Sequence, residues 1–368
     1  MALPFPEIKK KLGFGCMRFP MKDGEVDLEQ VCRMTDLFLE RGFNYFDTAH
    51  GYIGGRSEKA LKHCLTSRHP RESYLLADKL SEGYFKTQKD ISVVLDEQLE
   101  ICGVDYFDFY LMHAQNRNNY KHYQECNAYE TSLDLKAKGK LRHVGLSFHD
   151  KAAFLDQILT DHPQMEFVQL QFNYLDYEDD GVEGRKCYEV CCKHGKPVVV
   201  MEPVKGGRLV NLTKAAKSLL EDLDNGSCAS YAIRFAAGFE NVAVVLSGMS
   251  NMAQMEDNLS YMENFKPLND KEQETVKKVC AILRSQNQVP CTACKYCVDG
   301  CPKKIQIPDV LACLNLRRQL KYAGDKYREA TANGGKASDC IKCGKCEKVC
   351  PQHLPIRELL AETAVELE

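Results

Sequence analysis

Two short stretches concentrate the reactive sulfur of this chain. Residues 291–302 read CTACKYCVDGCP and residues 340–351 read CIKCGKCEKVCP. Both follow Cys-x2-Cys-x2-Cys-x3-Cys-Pro. That spacing wraps three thiolates around one iron–sulfur cubane and sends the fourth to a second cluster. The expected sets are Cys291, Cys294 and Cys297 with Cys350, and Cys340, Cys343 and Cys346 with Cys301. Pro302 and Pro351 turn the chain away after each crossing ligand. Structural zinc is the alternative, but this run of closely spaced cysteines suits a cubane better than a tetrahedral ion.

A second group of residues could move a proton. Asp47, Lys79 and His113 each stand at the end of a short apolar run, and Tyr52 follows in FDTAHGY. A lysine ammonium beside a phenol favours the phenolate, and a carboxylate holds that ammonium charged. A histidine can donate to an oxygen that gains negative charge. Together the four can polarise a carbonyl and protonate it as hydride arrives, or run backward on an alcohol. Singly, each has a plainer reading. Asp47 could cap a helix, Lys79 could be a surface charge and His113 could be structural. Their recurrence at matching positions points to one site.

Such positions need elements to hold them. Short apolar runs alternate with amphipathic stretches: Leu12–Cys16, then residues 44–46, 74–77, 107–112, 143–146, 167–171, 197–201 and 242–246. Between them lie helical patterns with start and stop signals, such as Asp27 with Gln30, Thr87 with Gly103, Asp150, and Asn251. Eight strand–helix units in succession predict a parallel sheet closed as a (β/α)8 TIM barrel, an α/β fold with its chemistry at the strand ends. A doubly wound open sheet is the rival, but no Gly-x-Gly-x-x-Gly follows an early strand. The expected division is a barrel over 1–268, a connecting helix over 269–285 and a small, mainly helical iron–sulfur domain over 286–368.

Composition narrows the class. The chain has 368 residues, with 49 Lys+Arg against 52 Asp+Glu. This balance gives no basic stripe for nucleic acid and no charge block for a disordered tail. No apolar run is long enough for a signal peptide or a bilayer span, so the reading is cytoplasmic, with no membrane partner. Nineteen cysteines then imply metal ligation and reduced thiols, not disulfides. Those outside the two motifs read as small buried hydrophobes.

GFNYFDTAHGY, LLADKL, DFYLMH and LRHVGLSFH, in that order and spacing, resemble the aldo-keto reductase superfamily over residues 8–265. The resemblance implies hydride transfer from a nicotinamide, with Asp47, Tyr52, Lys79 and His113 as the catalytic tetrad. It implies that Ser147 and Gln169 bind the nicotinamide carboxamide. Phe148 replaces the usual Asn after that serine, and Met201 stands where a Tyr commonly stacks under the ring. Ser247, Gly248, Gln254 and Asn258 are expected adenosine contacts, with helix capping as their other reading. Residues 244–258 hold no Lys or Arg for a 2′-phosphate, so NAD(H) is weakly preferred over NADP(H). The Gly pair in EPVKGGRL could approach a pyrophosphate or make a turn. Arg18 could bind an acidic substrate or a nearby carboxylate, and the loop of Arg117, Tyr120 and Tyr123 suggests a small polar substrate.

The tail resembles two-[4Fe-4S] ferredoxin domains of the helical variety. Hydride carries two electrons, while each cluster takes one. A flavin in the barrel would split them. So would a redox protein partner, or the clusters could be structural. The expectation is an NAD(P)-dependent carbonyl–alcohol oxidoreductase with two [4Fe-4S] clusters. The alternative is an electron-transfer or docking protein whose barrel binds a partner or flavin without turnover.

Overall fold

The structure is a computed structural model and describes residues 4–320 and 323–368. It divides into two compact units, Met1–Pro203 with Leu223–Gln273, and Val204–Asp222 with Glu274–Glu368. Among the described residues of the first unit, eight parallel strands close into a barrel. They are β1 (Leu12–Gly15), β2 (Tyr45–Asp47), β3 (Leu75–Leu80), β4 (Phe107–Gln115), β5 (Leu141–Phe148), β6 (Val168–Gln171), β7 (Val198–Met201) and β8 (Val242–Ser247). Closure runs between β8 and β1, with Leu12 opposite Val245.

β3 and β8 are buried along their whole length. Strands covered on both faces read as near-continuous apolar runs, as in Val242–Ser247, and β3 keeps such a run only over its first three residues before the buried Asp78 and Lys79. Tyr45, Leu75, Phe109, Phe167, Val199 and Val244 pack into one buried cluster. Gly145 in β5 is needed there, because a Cβ would stand 2.5 Å from the Phe167 carbonyl oxygen.

Local chemistry explains most helix boundaries. The Asp27 carboxylate accepts from Gln30 N at 3.0 Å and opens Leu28–Glu40. Thr87 and Asp90 form a reciprocal capping box at the start of Gln88–Cys102, and Gly103, at φ 68°, ends it. Asn251 accepts from Gln254 N at 2.9 Å and opens Met252–Met262. The Asp150 cap is a correction. Lys151 stands at the N-cap of Ala152–Asp161 without a side-chain bond, while the Asp150 carboxylate accepts from Arg117 N and Nε. A hairpin, Met21–Lys22 with Glu25–Val26, was not foreseen. Its turn is Asp23-Gly24, both at positive φ, a pair favoured in two-residue hairpins.

The second unit is helical, with Ile307–Leu320 and Ile356–Leu367 the longest of the described helices wholly contained in it. Its core includes Val289, Ile305, Val310, Leu311, Leu314 and Leu360, against which Cys291, Cys301, Cys340 and Cys350 pack. Residues 204–222 belong to this unit in space, although the sequence division places them in the barrel.

Candidate active site and cysteine centres

The four proton-handling candidates come together. β2 ends on Asp47, and its neighbour β3 carries Lys79. The Lys79 ammonium donates to Asp47 Oδ1 at 2.7 Å and to the Thr48 carbonyl at 2.6 Å. Its side chain is fully buried. A buried charge persists only where paired and hydrogen-bonded, so these partners are what let the lysine sit there. Burial pushes the Asp47 carboxyl up, and Lys79 works against that. Asp47 Oδ2 has no hydrogen-bond partner among the described residues.

Tyr52 lies in the loop after β2 and is 8% exposed. Lys79 Nζ is 4.8 Å from its ring centroid. The His113 ring, on β4, is 6.1 Å away and edge-on. Ser81 Oγ lies 2.6 Å from His113 Nδ1, which fixes the ring and leaves Nε2 as the other polar corner. Burial, then the Lys79 and His149 charges, hold His113 well below the usual histidine range. It is therefore a neutral imidazole at neutral pH.

Ser147 and Gln169 are neighbours across β5 and β6. Ser147 Oγ accepts from Ala114 N at 2.7 Å. Ala114 holds φ 52°, a strained value for a non-glycine, so Ser147 pins the irregular end of β4 beside His113. Gln169 is 2% exposed, and its Oε1 has no partner among the described residues. A buried amide oxygen left unmatched is costly, and it suits a ligand N–H. Met201 ends β7 and is half-buried. Gly248 follows β8, and the stem of Arg18 packs on it, 3.2 Å from where a Cβ would stand. Ser247, Gln254 and Asn258 bond locally. Asn258 Nδ2 donates to Ser247 Oγ at 2.7 Å, and Gln254 Oε1 accepts from Ser250 N at 2.8 Å.

The sequence reading missed three supports. Thr48 supplies a carbonyl to Lys79, and Ser81 orients His113. Ser81 lies two residues beyond Lys79, so a polar residue at the alternate position was the available signal. Tyr123 donates to the Leu80 carbonyl at 2.7 Å and the His113 carbonyl at 3.1 Å, bracing both strand ends. This revises the expected polar substrate loop. Tyr120–Glu125 is helical, Tyr123 is buried, Tyr120 bonds Asp161 and Arg117 pairs with Asp150. Glu58, Asp78 and Cys102 form a further buried group. Burial and then Glu58 push the Asp78 carboxyl well up.

The cysteines gather in two groups. Cys291, Cys294, Cys297 and Cys350 line one cavity. Cys301, Cys340, Cys343 and Cys346 line another. Burial, then Cys294, Cys291 and Cys350, push the Cys297 thiol up to about 12. Crowded sulfurs resist becoming thiolates together unless a cation compensates them, so each donor set fits a soft, iron-containing group. The Gly pair has a specific use. A Cβ on Gly206 would lie 2.5 Å from the Thr292 carbonyl oxygen, so this glycine admits close backbone approach to a cysteine-bearing loop.

A parallel eight-stranded barrel, with a buried lysine–carboxylate pair, a tyrosine and a histidine near its strand ends, defines a TIM-barrel protein with titratable side chains clustered at one place. The chain belongs to the aldo/keto reductase family, whose model matches residues 11–281, and a 4Fe-4S dicluster domain matches residues 290–355. It is similar to norsolorinic acid reductase B of Aspergillus parasiticus, 28% identical over 189 residues, 44% of this chain and 46% of that protein. The match thus spans less than half of that relative. It is also similar to L-galactose dehydrogenase of Arabidopsis thaliana, 24% identical over 74% of this chain and 90% of that one. Among solved structures, the holo form of an aldo-keto reductase from Bacillus halodurans superposes with a TM-score of 0.63. Identity there is 24%, covering 76% of this chain and 95% of that chain. At that identity the likeness shows the fold. No described helix is long and apolar enough to cross a membrane.

Proposed function

We propose that the protein is an NAD(P)-dependent oxidoreductase that interconverts a carbonyl and an alcohol on a small polar substrate. The carrying observation is the Lys79 ammonium, held by Asp47 at 2.7 Å and set 4.8 Å from the Tyr52 ring. Tyr52 gives its proton to the substrate oxygen, and Lys79 favours the charge left on the phenol. His113, neutral and oriented by Ser81, donates from Nε2 to the same oxygen as charge develops. Similarity to L-galactose dehydrogenase and norsolorinic acid reductase, both oxidoreductases by name, supports this class.

A bound nicotinamide would supply the hydride. The unmatched Gln169 Oε1 would accept from its carboxamide, Ser147 would donate to it, and Met201 would lie against the ring. Ser247, Gly248, Gln254 and Asn258 would line the adenosine end. Residues 244–258 hold no cation, so NADH is the better fit. The two cysteine groups would hold one [4Fe-4S] cluster each, exchanging single electrons with a flavin or a redox protein. The setting is cytoplasmic.

Anaerobic protein offered NADH or NADPH with a panel of aldehydes and ketones tests this reading. Carbonyl-dependent oxidation of the nucleotide is expected, with NADH bound at least as tightly as NADPH. Failure of both nucleotides to bind would contradict it and favour a barrel that only docks partners.

A further inference from the structure

Lys205 lies four residues beyond Met201 in the chain, yet it belongs to the cysteine-bearing unit. It is 3% exposed. Lysine is almost never so buried without a purpose that compensates it. Its Nζ donates to the Gln352 side-chain oxygen at 3.2 Å. Gln352 lines the cavity of Cys291, Cys294, Cys297 and Cys350. Next to Gln352, the His353 N–H donates to the Cys350 carbonyl at 3.1 Å, closing the turn after this cysteine.

The backbone is bent to make this contact. Lys205, Gly206 and Gly207 run at φ 48°, 62° and 94°. Three successive left-handed residues, the first a lysine, do not arise by default. Gly206 meanwhile presses on Thr292, between Cys291 and Cys294. One tight loop therefore touches both ends of a single cysteine set. The other cavity is lined by Lys303, Lys345 and Arg357, all exposed. Arg357 is also tied to Glu347 at 2.8 Å. Solvent and salt screen exposed charges, whereas a buried ammonium acts through a low dielectric.

We propose that Lys205 is a tuning residue whose buried charge raises the reduction potential of the cluster held by Cys291, Cys294, Cys297 and Cys350, and of that cluster alone. One electron from an external donor takes a cluster from the 2+ to the 1+ state, adding negative charge that the ammonium stabilises. Net charge and hydrogen bonding around the sulfurs are the levers that set such potentials.

The proposal rests on the reading that two clusters are bound. Iron and sulfide analysis tests that reading separately, and lack of cluster iron in the parent would overturn it. With clusters present, the full chain is titrated anaerobically with dithionite and followed by EPR. In Lys205→Met one midpoint falls, its reduction equilibrium weakened about tenfold, which is 59 mV for one electron. The other midpoint stays, and Lys205→Arg restores the first. If Lys205→Met loses iron, Lys205→Gln decides by the same titration. Two unmoved midpoints, or an equal fall in both, overturn the role of Lys205 without touching the cluster assignment.

Discussion

At the residue scale, the site depends on keeping one charge and removing another. Lys79 stays buried because Asp47 and the Thr48 carbonyl satisfy it. His113 stays neutral because burial and Lys79 oppose its protonation. With its folded pKa lowered, His113 refuses a proton that the unfolded chain accepts below about pH 6.5. Its contribution to stability is therefore intact above that pH and declines as pH falls. Carbonyl reduction should show no break near 6.5 from this ring. A profile of kcat/KM against pH checks this, and a break abolished in His113→Gln would oppose a neutral donor. Gln169 carries a matching expectation, since its buried Oε1, without a partner among the described residues, is a cost that a bound N–H donor would relieve.

At the element scale, strands were legible because each carries a short apolar run, even where buried polar residues such as Asp78 and Lys79 interrupt it, and helices because their caps are coded by neighbours in sequence. Thr87 with Asp90 and Asn251 with Gln254 needed only local chemistry. Asp150 misled because its carboxylate serves Arg117, 33 residues away. Tyr123 misled similarly: a tyrosine in a polar stretch looks exposed until the strand ends it braces are known. Among the site residues, Asp47, Lys79 and His113 were legible from position, while Ser81 and Thr48 needed distances. The Gly pair was legible as a close approach or a turn, whereas nothing in the expected strand 143–146 marked Gly145 as a packing requirement. Gly145→Ala should destabilise the barrel by about 1–3 kcal/mol, because the new methyl meets the Phe167 carbonyl. A melting curve checks it, and an unchanged midpoint would mean that β5 and β6 give way freely.

At the scale of the whole molecule, two units of different origin of stability share one chain. The barrel closes on its own apolar layers. The second unit is small, and the cysteines pack against its core. Metal binding in such a domain contributes to folding outright. Stripping iron and sulfide from the full chain should therefore lower helical circular dichroism and leave the tyrosine near-ultraviolet signal of the barrel in place. Helicity unchanged by stripping would show that the core suffices without clusters. That residues 204–222 belong to this unit was not visible in sequence, because nothing local marks them off from the segments before and after them. Tyr52→Phe tests the central claim most directly. Measured in single turnover with nucleotide saturating, the variant should bind NADH as the parent does and lose carbonyl reduction by at least about a hundredfold, the scale of a positioned proton donor. Reduction at the parent rate would contradict a lysine-activated tyrosine as the proton source.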